Sequence, residues 1–100
     1  MKIVINTCYG GFGVSENFLK AYNISYRKTS YGSVYAEEDI ERTDPRLIEY
    51  IETYGSEMAS SSHAELEVVE IPKGTLYRIT EYDGFEDIET LNTVAWKVAT

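Results

Sequence analysis

Ten residues near the start of the chain gather most of its unusual chemistry. Asn6, Thr7, Cys8 and Tyr9 lead into Gly10-Gly11-Phe12-Gly13, and Ser15 follows as a helix N-cap. Three glycines in four positions let backbone amides turn outward and approach a ligand closely. A helix start just beyond them adds partial positive charge, so the segment predicts a seat for a phosphate or carboxylate. Asn6 and Thr7 are candidates to hydrogen-bond a ribose or an amide, and Tyr9 to stack on a ring. Phe12, with glycine on both sides, is expected to be lifted out as a stacking surface. Its alternative is a tight strand-to-helix turn with Phe12 tucked inward.

The pattern is not a dinucleotide fingerprint, whose glycines are more widely spaced. It is not a phosphate loop either, because no Lys-Ser or Lys-Thr follows it. Arg42 and Arg46 flank the helix start at Asp44, and together they could present two guanidiniums to one phosphate. Their alternative role is to neutralise Glu38, Asp39, Glu41 and Glu49. Arg27-Lys28, with Tyr26 and Tyr31 alongside, forms a second cationic and aromatic group in a polar loop able to close over a nucleotide.

Signals for catalysis are thin. Cys8 is the single cysteine and His63 the single histidine, and they lie in separate segments, so we read Cys8 as a small buried or half-buried residue. That composition leaves no zinc site, and Asp83, Glu86, Asp87 and Glu89 lack the spacing of a calcium loop. We therefore expect no catalytic residues, no metal and no cofactor. The ligand-binding set is Asn6, Thr7, Tyr9, Gly10, Gly11, Phe12, Gly13, Arg42 and Arg46.

Positioning these groups needs a domain, and 100 residues with 43% hydrophobic content suit a single one spanning residues 1–100. A formal charge of −8 with scattered basic residues argues against binding a nucleic acid polymer. No apolar run reaches the ~20 residues of a membrane helix, and the opening one is too short for a signal peptide. We expect Met1 to begin the mature chain, no membrane association and a cytoplasmic location, in keeping with the lone cysteine. Nine tyrosines are the compositional oddity, suited to pockets and subunit contacts.

Ile3-Val4-Ile5 predicts a strand buried on both faces, and Phe18, Leu19 and Tyr22 a short amphipathic helix ending near Asn23. Val34-Tyr35-Ala36 predicts a brief strand. Asp44 and Pro45 start a second helix, whose stripe of Leu47, Ile51, Tyr54 and Met58 predicts that it runs through Gly55 to about Ser60. The alternative is that Gly55 ends it. Residues 65–71 alternate as a strand, Pro72-Lys73-Gly74 turns, and residues 75–82 return to a second turn at Asp83-Gly84. Phe85 to Leu91 reads equally as short helix or loop, and residues 93–99 alternate as a terminal strand. The expected architecture is α+β: β-α-(β)-α-β-β-β, with two helices on a mixed or antiparallel sheet.

The opening Met1-Lys-Ile-Val-Ile-Asn-Thr-Cys-Tyr-Gly-Gly-Phe-Gly13 resembles a family of small phage and prophage proteins. The resemblance extends through Glu38 to Ile48, Leu66 to Pro72, Ile79 and Glu81-Tyr82-Asp83-Gly84. It brings no established activity. The family pattern ends in a His-Arg-Thr-Trp-like tail, whereas residues 85–100 here contain no His, so no role of that tail is carried over. The phage setting implies counter-defence. From it we expect a non-catalytic sponge that sequesters a small anionic, nucleotide-derived host immune signal, in a pocket completed by a homo-oligomer. The alternatives are an acidic interaction protein that inhibits a host defence enzyme, and a small hydrolase of a nucleotide signal.

Overall fold

The computed structural model describes residues 1–90. Six strands and three helices follow one another: β1 (Lys2–Asn6), α1 (Glu16–Ala21), β2 (Tyr26–Lys28), β3 (Val34–Ala36), α2 (Pro45–Tyr54), α3 (Ser56–Ala59), β4 (Leu66–Glu70), β5 (Tyr77–Tyr82) and β6 (Phe85–Thr90). The class is α+β, as the patterning predicts. The strands form three antiparallel pairs, β1 with β4, β2 with β3 and β5 with β6, rather than one continuous sheet.

β1 is buried on both faces, as its unbroken apolar run requires. Val4 and Asn6 share the face of their partners Val68 and Leu66, and Val4 and Leu66 join Phe18, Leu19, Leu47, Tyr50, Ile51 and Ala59 in the core. Ile3 and Ile5 on the opposite face are buried too. The edge of β1 turned away from β4 is closed by other means. Val4 N–H donates to the Arg42 carbonyl at 2.7 Å, and Asn6 N–H to a Glu86 carboxylate oxygen at 2.8 Å.

Ser15 caps α1 as expected, accepting from Phe18 N–H at 3.1 Å and donating to the Met58 carbonyl at 2.6 Å. Asp44 caps α2, with Pro45 at its first position. The expectation that α2 runs to Ser60 is overturned, because Gly55 adopts φ +91° and separates it from α3. The reorientation ends the helical stripe at Ile51. Leu47 and Ile51 are buried, Tyr54 and Met58 are largely exposed, and Tyr50 takes the third core position.

The ambiguous stretch after Gly84 is strand β6. Asp83 (φ 50°) and Gly84 (φ 89°) form the two-residue turn that joins it to β5, both residues at the positive φ favoured in hairpins. Thus the count of two helices becomes three, and the strand expected over 93–99 lies outside the described residues.

Candidate functional site

The glycine elbow leaves β1 and folds against the serine-rich connector after α3. An isolated bridge pairs Val14 with Ser60, and Ser61 N–H donates to the Gly13 carbonyl at 3.0 Å. The approach is close enough that only glycine fits at two positions. A Cβ on Gly10 would stand 1.9 Å from the His63 carbonyl oxygen, and one on Gly13 would stand 2.5 Å from Ser61 Oγ. Gly11 is different: it sits at φ +92° with open space where its side chain would be.

Beside this elbow lies a cleft of about 640 Å³, within the size range of small-molecule sites. Gly10 to Glu16 form one wall, and residues 60–63 a second. The β2–β3 hairpin, from Lys28 and residues 32–36, continues through Glu38, Asp39 and Ile40 to make the third. Among the described residues, no hydrogen bond from the amides of Gly10 to Gly13 goes to another protein group. The lining of the cleft also carries Ser33, Ser61 and Ser62 and the acidic residues Glu16, Glu38 and Asp39.

Charge in the cleft is mixed. Lys28 is its lysine, and its ammonium lies 3.5 Å from Glu16, which also faces Lys20. The Tyr26 hydroxyl beside Glu16, together with the two lysines, holds that carboxyl below its ordinary range. Glu38 meets Arg46 at 3.4 Å. Asp39 has no such partner among the described residues, which makes it the carboxylate best placed to accept from a bound group.

Of the nine residues predicted to bind ligand, four line the cleft: Gly10, Gly11, Phe12 and Gly13. Asn6 is committed elsewhere. Fully buried, it donates from Nδ2 to the carbonyls of Cys8 and Gly84, both at 2.7 Å, and accepts from Glu65 N–H at 2.9 Å. Thr7 Oγ1 donates to the Glu65 carbonyl at 3.2 Å. Tyr9 is exposed, outside the cleft, with its ring 5.4 Å from that of Phe85.

Three expectations need correction. Phe12 is not lifted free: it is half-buried against the core, and the Arg42 guanidinium lies 3.8 Å above its ring. Arg42 and Arg46 do not converge on one point. Arg42 pairs with the buried Glu86, whereas Arg46 grips Asp44 through two bonds of 2.8 and 3.1 Å, so the local-neutralisation alternative describes Arg46. The N-terminus of α1 is not an anion seat either. It has six residues, its Phe18 amide is occupied by Ser15 Oγ, and Glu16 places a carboxylate at its first position.

Cys8 is half-buried, and no hydrogen bond joins it to His63. Among the described residues, no group of three or more His, Cys, Asp or Glu is arranged to hold a metal ion, and no helix is long and apolar enough to cross a membrane. Two walls of the cleft escaped the sequence reading as site residues, Ser60 to His63 and Glu38 to Ile40. Their signal was present as a serine run and an acidic run, but both patterns are common in solvated loops. No family model, curated protein or solved structure matches this chain.

Proposed function

We propose that this protein is a non-catalytic binding module that holds a small nucleotide-derived ligand in the cleft between the glycine elbow and the β2–β3 hairpin. The observation that carries this reading is that Gly10 to Gly13, whose amides have no protein hydrogen-bond partner among the described residues, form one wall of a cleft of about 640 Å³. Such amides and Lys28 suit an anionic group. Asp39 and the serine hydroxyls suit ribose hydroxyls or a base amine. The mixed lining favours a ligand with both kinds of group over a bare phosphate.

Taken with the resemblance to phage proteins, the role is sequestration of a host immune signal in the host cytoplasm. Self-association of the chain belongs to the same reading, because one small domain offers limited concavity. The test is calorimetry of the full chain with ADP-ribose and cyclic dinucleotides, followed by recovery of the ligand after heating. Stoichiometric binding and unchanged ligand support the reading, and a cleaved ligand promotes the hydrolase. Gly11→Val, which projects a side chain into open space, and Asp39→Asn are expected to weaken binding at least tenfold. Unchanged affinity in both folded variants removes the cleft from consideration.

A second reading is favoured by the exposed Tyr9, Tyr82 and Phe85, all near the β5–β6 turn and next to acidic side chains. This is the surface with which an inhibitor of a host enzyme would dock. It predicts a stable complex with that enzyme and no heat of binding from nucleotides.

A further inference from the structure

The β5–β6 hairpin meets the rest of the protein through β6 and the turn. Glu86 and Gly84 bond to Asn6, and Phe85 lies against Tyr9. β5 is left on the far side. Because the turn has two residues, Tyr82 and Phe85 exchange the first pair of ladder hydrogen bonds. Alternation then directs the amides and carbonyls of Tyr77, Ile79 and Glu81 away from β6, to an edge with which no described residue pairs. An unpaired edge of this kind is a template for another strand.

We propose that this edge pairs antiparallel with β5 of a second copy of the chain, across a two-fold axis at Ile79. A two-fold axis normal to a sheet returns each residue to its own face, so paired positions must differ by an even number. Two registers near the strand centre satisfy this. Centring on Thr80 sets Ile79 against Glu81, Tyr77 against Asp83 and Leu76 against Gly84. Centring on Ile79 sets Ile79 against itself, Tyr77 against Glu81, Arg78 against Thr80 and Leu76 against Tyr82.

The second register is the self-complementary one. Leu76, directly before β5, and Tyr82 are 69% and 73% exposed, well above Tyr77 and Phe85. Here they meet each other twice, once on either side of the axis, as cross-strand pairs. No like charges are opposed. The residues whose backbone groups face outward, Tyr77, Ile79 and Glu81, also pair only among themselves, so their free donors and acceptors coincide.

This surface gives the self-association proposed above a location, but it needs no ligand, so its test is run without nucleotide and is independent of the cleft. Ile79→Cys and Thr80→Cys are made separately in full-length protein carrying Cys8→Ala, and each is oxidised. Ile79 and its symmetry mate would form a hydrogen-bonded pair about 5.5 Å apart at Cα, inside the span a disulfide bridges. A covalent dimer from Ile79→Cys, and none from Thr80→Cys, is the expected result.

Preferential cross-linking through Thr80 overturns the register, and a wild-type monomer in sedimentation equilibrium at tens of micromolar overturns the dimer. Ile79→Pro removes only an outward amide, a substitution edge strands tolerate. It is expected to weaken dimerisation at least tenfold with the hairpin's circular dichroism retained. Since each copy carries a formal charge of −8, added salt should tighten association. Weaker association in salt would contradict a dimer held by backbone pairing and apolar contacts.

Discussion

Glu86 accepts the backbone N–H of Asn6 at 2.8 Å, although eighty positions separate the two residues. That carboxylate is 6% exposed and also takes the Arg42 guanidinium, whose own carbonyl accepts from Val4. One buried acid thus closes the edge of β1, anchors the β5–β6 hairpin and holds Arg42 over Phe12 beside the cleft.

Removing Glu86 should therefore unfasten several elements together. Glu86→Ala leaves a buried amide unpaired and a half-buried guanidinium without its partner, a loss on the order of 3 kcal/mol. Glu86→Gln retains an acceptor and is expected to lose less. Urea unfolding of the two variants checks the order. Equal midpoints would show that the retained acceptor contributes nothing and that the whole loss lies in the charge.

Asn6 satisfies three backbone groups through its side chain. Asn6→Ala strands the Glu65 amide and the carbonyls of Cys8 and Gly84, which we expect to cost roughly 2–4 kcal/mol. Asn6→Asp retains one acceptor but loses both Nδ2 donations, turning carboxylate oxygens toward carbonyl oxygens. It should be as damaging as Ala at neutral pH. Thermal melts compare them.

The glycines separate into structural and permissive positions. Gly84→Ala would set a Cβ 2.4 Å from the Gly11 nitrogen, and Gly10→Ala would set one 1.9 Å from the His63 carbonyl oxygen. Both should lower the melting temperature by more than Gly11→Ala. That change meets open space and pays only the positive-φ cost of about 1 kcal/mol. Equal effects at all three positions would contradict the close packing of elbow on connector.

Acid sensitivity is expected at the start of α2. The fork of Arg46, followed by the backbone amide it caps, holds the Asp44 carboxyl below its ordinary value, and the pair raises Arg46 in turn. A lowered folded pKa contributes stability that is complete above the unfolded value of about 3.9 and lost as pH falls through the folded one. Asp44→Asn should flatten the stability profile below about pH 4. An unaltered acid limb would assign that loss to other carboxylates.

Local chemistry made much of the fold legible. Ser15 and Asp44 announced two helix starts, Ile3 to Ile5 a doubly buried strand and Asp83-Gly84 a hairpin turn. Periodicity misled at Gly55, where the apolar spacing continued in the sequence while the backbone did not. A positive φ reorients the chain without altering the pattern of residue types, so Tyr54 and Met58 kept helical spacing and lost the core. Phe85 to Thr90 was ambiguous because its residues serve a ladder and a buried ion pair together.

The candidate site divides in the same way. The glycine elbow and its place after β1 follow from residue types within a few positions. Its partners do not. Arg42, Arg46, Asn6 and Phe12 have side chains equally suited to a ligand or to the protein itself, and that choice depends on what stands opposite them. Glu86, 44 positions away, occupies the Arg42 side chain, and the carbonyls of Cys8 and Gly84 with the Glu65 amide occupy that of Asn6. By itself the sequence determined that an amide-rich elbow would exist. Only the tertiary structure decided which polar groups remain free around it, because hydrogen bonds and ion pairs between distant segments are satisfied in space rather than along the chain.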